Sequence, residues 1–240
     1  MKKIFFYVMI ATVVLTAASC NKDDENEIEP GQNQITITGQ NVNMAISVAG
    51  SGTMTIDWGD WTGVETYSLP GFSQPQTYSH VYSGNFMHTI TLTGDKIEYL
   101  ECIHQNILLL DVSRNPTLTE LHCGWNWLTS LDVSRNTALV GFSCYLNYLT
   151  DIDVSKNTEL YYLNCQTNLL TELDVSTNSM LRLLYCEANQ LTSEALNAMF
   201  GTLHNNTITG LTKEVRIGAN PGTNDCNASI AENKGWSVVK

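Results

Sequence analysis

Five cysteines recur 21 residues apart, at Cys102, Cys123, Cys144, Cys165 and Cys186. A ladder of thiols can bind metal, cross-link or pack. Metal centres use close pairs of the Cys-x-x-Cys kind, and the chain has none. Stacked coils would bring neighbouring Cα atoms near disulfide range, but parallel stacked side chains give poor S–S dihedrals. A buried free cysteine behaves as a small hydrophobe, so the spacing predicts a reduced core column with no metal. Cys226 stands outside the column and is also expected to be buried. Asp111, Asp132, Asp153 and Asp174 keep the same period. Carboxylates stacked on one face repel. Each one opens an Asp-Val-Ser segment, however, in which the side chain can bond turn backbone. Turn chemistry is the first reading, and a ladder of cations is the alternative. The five histidines, His80, His88, His104, His122 and His204, are scattered, and no nucleophile elbow, His-Glu-x-x-His or glycine-rich phosphate loop occurs. An enzyme needs a convergent constellation. The sequence therefore points away from catalysis and calls for no cofactor.

The elements that would position these residues follow from the period. One unit reads Leu118-Thr-Glu-Leu121-His-Cys123-Gly-Trp-Asn126-Trp-Leu128-Thr-Ser-Leu131-Asp132-Val133-Ser-Arg-Asn136. A fixed period of this length with leucines at fixed offsets means stacked coils, each burying its apolar side against the next. In the short strand, alternate residues share a side. Leu121 and Cys123 go inward while Glu120, His122 and Gly124 face out. Coils stacked about 4.8 Å apart make a slab about 25 Å long. The column Asn126, Asn147, Asn168 and Asn189 fits a turn ladder, because asparagine bonds backbone groups and tolerates left-handed geometry.

This repeat resembles the leucine-rich repeat family over residues 97–191, in a short variant with Cys in one core slot. The resemblance implies a right-handed solenoid, mostly parallel β with little helix. Before it, residues 33–96 show short alternating runs at 35–37, 44–48, 54–56 and 88–92 separated by turn residues, which predicts about six antiparallel strands. The segments Asp57-Trp58-Gly59-Asp60-Trp61 and Tyr78-Ser-His80-Val-Tyr82 resemble the polycystic-kidney-disease family of Ig-like domains, with Trp61 where that family has Gly. The resemblance implies a small antiparallel β-sandwich and makes Asp57 and Asp60 turn-forming rather than catalytic. No linker separates it from the coils, so it is expected to cap the first one. Residues 192–240 are expected to close the other end as an α/β cap, with a helix over 192–200 capped by Ser193 or Thr192, strands at 215–217 and 236–239, and a short helix near 228–233. They resemble the segment that closes such repeats in Bacteroidetes surface proteins.

Residues 1–19 are a targeting signal rather than fold. Lys2 and Lys3 precede an apolar run from Ile4 to Ala18 that is shorter than the roughly 20 residues of a membrane span. The run ends in Ala-Ala-Ser19-Cys20, which resembles a bacterial lipoprotein signal and implies lipid on Cys20. Residues 20–32 form an acidic tether. Its Lys22-Asp23-Asp24-Glu25 resembles the surface-export signal of Bacteroidetes lipoproteins, which implies an outer-membrane protein facing the cell exterior. The chain carries 12 basic and 24 acidic residues, a net charge of −12. Loss of the signal removes two lysines and no acid. Such a surface repels nucleic acid and anionic lipid, so the lipid anchor is the expected membrane contact.

What varies from coil to coil is the outward set. His122, Trp125, Trp127, Tyr145, Tyr148, Tyr162, Asn164 and Tyr185 are the candidate ligand-binding residues, because exposed aromatics on rigid coils anchor interfaces. Some of these rings could instead cover the core edge. The expected function is protein recognition or adhesion at a cell surface by a monomer. Glycan capture for a polysaccharide-uptake system is the runner-up, since Trp and Tyr beside Asn and Gln also suit sugars. A passive spacer is the third reading.

Overall fold

The computed structural model describes residues 33–206 and 212–240; the signal and tether, Cys20 among them, lie outside the described residues. The repeats form a β-solenoid. Each coil opens on a three-residue strand: β7 (Glu120–His122), β8 (Gly141–Ser143), β9 (Tyr162–Asn164) and β10 (Leu183–Tyr185). These pair in parallel with a register that advances one full repeat per rung, so Leu121, Phe142, Leu163 and Leu184 lie in line. All four are buried, as are Cys102, Cys123, Cys144, Cys165 and Cys186.

The strand ends where it does because the chain turns a corner two residues past each cysteine. His104, Trp125, Leu146, Thr167 and Ala188 have φ between 52° and 58°, and none is glycine. Left-handed geometry costs a side-chain-bearing residue about 1 kcal/mol or more. Bonds to the next coil hold it in place: Trp125 N–H donates to Tyr145 O at 2.7 Å, and Ala188 N–H to Gly218 O at 2.8 Å. The corner turns the following asparagine inward. Asn147 Nδ2 donates to the carbonyls of Cys123 and Cys144, both at 3.0 Å, and its Oδ1 accepts the Leu128 N–H at 3.0 Å. Asn126, Asn168 and Asn189 repeat the pattern. The position needs donors and an acceptor on one short side chain, which asparagine has and ionised aspartate lacks.

The N-terminal strands are β1 (Asn33–Gly39), β2 (Asn43–Asp57), β3 (Val64–Pro70), β4 (Gln76–Val81) and β5 (His88–Glu101). β2 is irregular between Ser51 and Met54, with its first part on β4 and its last on β3. β5 pairs antiparallel with β2 along most of its length. On its other edge it first carries β1 and then, from Tyr99 to Glu101, takes β7 in parallel. The boundary placed between residues 96 and 97, with no linker expected, falls inside a continuous strand. The cause is an exchange of partners along one edge, which leaves no interruption in the chain. β1 also pairs with β6 (Ile107–Arg114), which belongs to the first coil. One hydrophobic cluster runs from Ile35 to Trp236 as a result. Burying a leucine or valine in it contributes about 1.5–3 kcal/mol.

After Leu191 the chain leaves the coil path for helix α1 (Ser193–Thr202). Thr192 caps it, its side chain accepting the Ala195 N–H, and Leu196, Met199 and Phe200 face the core. The repeats do not end there, contrary to the boundary read at 191. β11 (Lys213–Arg216) adds a parallel rung to β10. Val215 and Ile217 occupy the leucine and cysteine slots, and Asn220 occupies the ladder slot. Its Nδ2 donates to Cys186 O and Ile217 O, while its Oδ1 accepts Asn189 N–H. Ala219 is the matching corner, at φ 59°. The helix inserted between the two asparagines hides this rung from a search at constant period. A short helix, α2 (Ser229–Glu232), and a last parallel strand, β12 (Trp236–Val239), follow.

Candidate binding surface

The outward positions of the parallel strands form two columns. Tyr99, Glu120, Gly141, Tyr162, Leu183 and Glu214 make the first; Glu101, His122, Ser143, Asn164, Tyr185 and Arg216 make the second. Large side chains stand at both ends of this face and small ones in the middle. At one end Tyr99 packs on His122 with ring centroids 5.4 Å apart, and His122 Nε2 lies 3.4 Å from a Glu120 carboxylate oxygen. At the other, Tyr162 meets Tyr185 edge-on at 5.6 Å, and the Arg216 guanidinium lies over the Tyr185 ring at 4.5 Å while Nε holds Glu214 at 2.7 Å. Burial raises the Tyr162 hydroxyl above its ordinary pKa. Between these ends Gly141 and Ser143 are buried and make the low point. The Glu120 carboxylate occupies the space a Cβ at 141 would take, so a larger residue there would push that side chain aside.

A second strip adjoins this face along the corners. Trp125 is 54% exposed and stacks on His104 at 4.8 Å; Trp127 is 44% and Tyr148 53% exposed. Trp127, Tyr148 and Leu169 occupy one position on successive coils, where their N–H groups donate to Ile107, Leu128 and Leu149 respectively. The Tyr145 ring lies against Gly124, in the space a Cβ there would take. Of the eight residues read as a site, the structure therefore groups His122, Tyr162 and Tyr185 on the strand face. It places Trp125, Trp127, Tyr145 and Tyr148 along the corner strip. Asn164 is a correction: it is 7% exposed, and its Oδ1 accepts the Gln166 N–H at 3.2 Å, so it braces the turn. Tyr99, Arg216 and His104 belong to this surface and were not among those expected; Tyr99 holds the same outward slot as Tyr162. Arg216 sits on the rung hidden by the helix insertion. His104 repeats the corner position, a signal present in the sequence.

The other candidate chemistry resolves into structure. Cys102, Cys123, Cys144, Cys165, Cys186 and Cys226 are free thiols, all buried. Burial pushes the column's pKa values up, that of Cys165 to about 12. The reactive thiolate is thereby suppressed. Each Asp of the period accepts the N–H two residues on: Asp111 from Ser113, Asp132 from Ser134, Asp153 from Ser155 and Asp174 from Ser176, at 2.7–2.8 Å. These bonds hold Asp132 and Asp153 below the usual carboxylate pKa. Asp57 and Asp60 do the same for Gly59 and Thr62, and Asp60 also holds His80 at 2.7 Å. No group of His, Cys, Asp and Glu among the described residues could hold a metal ion. Trp61, in the turn after β2, is fully exposed.

These observations define a β-solenoid of leucine-rich coils. The chain matches no protein-family model and no curated protein. Among solved structures it is similar to the functional domain of InlJ from Listeria monocytogenes, described as including a cysteine ladder. The identity is 33% over 55% of this chain and 32% of that one, with a TM-score of 0.44. An internalin, InlF, from the same species is 24% identical over 54% of this chain and 36% of its own, at 0.45. A leucine-rich repeat protein of Leptospira interrogans is 18% identical over 54% and 38%, at 0.39. This chain thus spans about a third of the length of each.

Proposed function

We propose that this protein is a non-enzymatic binding protein that recognises a protein partner through its strand face and corner strip. The observation that carries the reading is the pair of braced aromatic groups, Tyr99 with His122 and Tyr162 with Tyr185 and Arg216, on either side of the low point at Gly141 and Ser143. Rings already fixed by their neighbours lose little entropy on contact, so a few of them can dominate affinity. In this reading the strands before the coils are an Ig-like sandwich that shields the first coil, and the segment after Leu191 shields the last. Glycan capture is the second reading. Trp127 and Tyr148 share their exposed column with Asn106 and Gln190, which supplies flat rings beside amide groups. A panel of purified extracellular proteins set against a glycan array separates the two.

The proposed location is the outer face of a Bacteroidetes-type outer membrane, reached by lipid on Cys20 and the acidic tether. Among the described residues no helix is long and apolar enough to cross a membrane. Cys20→Ala should abolish incorporation of labelled palmitate in a lipoprotein-processing host. Undiminished labelling of that variant would end the anchor proposal.

A further inference from the structure

The coils carry a second feature, on the side that bears the Asp-Val-Ser segments. A cleft of about 690 Å³ opens there between the third and fourth coils and helix α1. Its floor is Ile152 and Leu173, and its far wall is Ala195 and Ala198 of the helix. The helix leaves the coil path at Leu191, so the wall exists only because the regular repeat is interrupted there. Around this apolar interior stand Asp151, Asp153, Glu172, Asp174 and Glu194. No Lys or Arg lines the cleft, and Lys156 outside it contributes a small positive field at Asp153. Bonds from turn backbone hold Asp153 below its ordinary pKa, and the helix-start N–H does the same for Glu194, so both stay ionised in neutral and mildly acid solution.

A floor of isoleucine and leucine demands an apolar side chain. A rim of like charges with no cation among its lining demands positive charge on both sides of that side chain. We infer that the cleft docks a short basic peptide segment of a partner protein, an apolar residue seated on Ile152 and Leu173 and flanking lysines or arginines on the carboxylate rim. The site is separate from the strand face, and charge complementarity is what selects the occupant. Uncompensated repulsion around the rim is relieved when cations arrive, so association is fast at low salt and weakens as salt screens the field. A neutral or acidic segment finds the same floor but not the same rim.

The test uses the full chain and a fluorescein-labelled probe of sequence Lys-Ala-Leu-Ala-Lys, with the charge-inverted Glu-Ala-Leu-Ala-Glu as control, read by fluorescence anisotropy. Saturable binding of the basic probe alone is expected, weakening as sodium chloride rises. The double variant Asp151→Asn with Glu172→Gln should weaken it about tenfold. Ala198→Phe should block it by filling the cleft, and Tyr185→Ala on the strand face should leave it unchanged. Thermal melting shows whether each variant is folded, and Ala195→Leu serves where Ala198→Phe melts early. Equal binding of the two probes, absence of saturable binding, or unaltered binding to folded cleft-filled and charge-neutral variants would each overturn the inference.

Discussion

The cysteine column shows how a residue's role follows from its surroundings. A thiol that is chemically able to bind metal or form a disulfide becomes a packing group when nothing polar reaches it. Cys165 and Cys186 make only weak sulfur contacts to the carbonyls of Tyr185 and Arg216 on the next rung. Replacing sulfur by oxygen changes this balance, because a hydroxyl is smaller and costs more to take out of water. Cys144→Ser should lower stability by about 1–3 kcal/mol in urea unfolding, and the native protein should react slowly with thiol reagents until it is unfolded. Fast modification of all five column thiols in the native state would contradict the packing role. Asn164 makes the opposite point. Its column is outward, yet it is covered, because its side chain turns to the Gln166 N–H and lies against Tyr162.

At the scale of elements, the coils were legible in the sequence because their slots tolerate so little change. Leucine, cysteine and asparagine recur where a buried volume or a donor–acceptor pair is fixed by the coil before. The strand at Val215–Ile217 was legible but its place as a sixth rung was not, since Val215 and Ile217 fill the same slots with different residues and the period stretches from 21 to 31 residues between Asn189 and Asn220. The continuity of β5 was hidden for another reason: which strand occupies its edge is a long-range matter that local alternation cannot encode. The inserted helix is tied back by cations. Lys234 Nζ donates to the carbonyls of Phe200, Gly201 and Leu203 at its C-terminal end, and Lys213 Nζ to those of His204, Asn206 and Lys234. His204 sits among these lysines and Arg182. Its Nδ1 accepts the Asn206 N–H, so the neutral ring donates from Nε2 to Leu181 O at 2.7 Å.

That arrangement has a consequence for pH. Burial, followed by the nearby cations, lowers the His204 pKa. A lowered folded-state value means that the unfolded chain binds the proton more readily. The contribution is complete above the ordinary histidine pKa of about 6.5 and is lost as pH falls from there toward the folded value. Urea midpoints measured between neutral and mildly acid pH should therefore decline before the carboxylates titrate, and His204→Gln should flatten the decline over that window. An unchanged slope in the variant would remove His204 from the account.

For the whole molecule, one continuous core serves to hold two different outer faces at fixed spacing. The strand face and corner strip carry aromatic rings; the Asp-Val-Ser side carries an acid-rimmed cleft. The candidate surface was partly legible, since rings at outward slots can be read from the repeat. Which of them brace one another was not, because Arg216 over Tyr185 and Tyr145 against Gly124 depend on neighbouring rungs. Trp61 is the rival anchor, alone and fully exposed far from the coils in sequence. The measurement that separates these accounts is the affinity of the first partner recovered from the protein panel or glycan array, by biolayer interferometry with Tyr185→Ala, Trp127→Ala and Trp61→Ala. Tyr185→Ala or Trp127→Ala should cost about 2 kcal/mol, close to thirtyfold in Kd, while Trp61→Ala leaves binding intact. Loss of binding in Trp61→Ala, with both coil variants at full affinity, would place the site on the N-terminal strands and reduce the solenoid to a stalk.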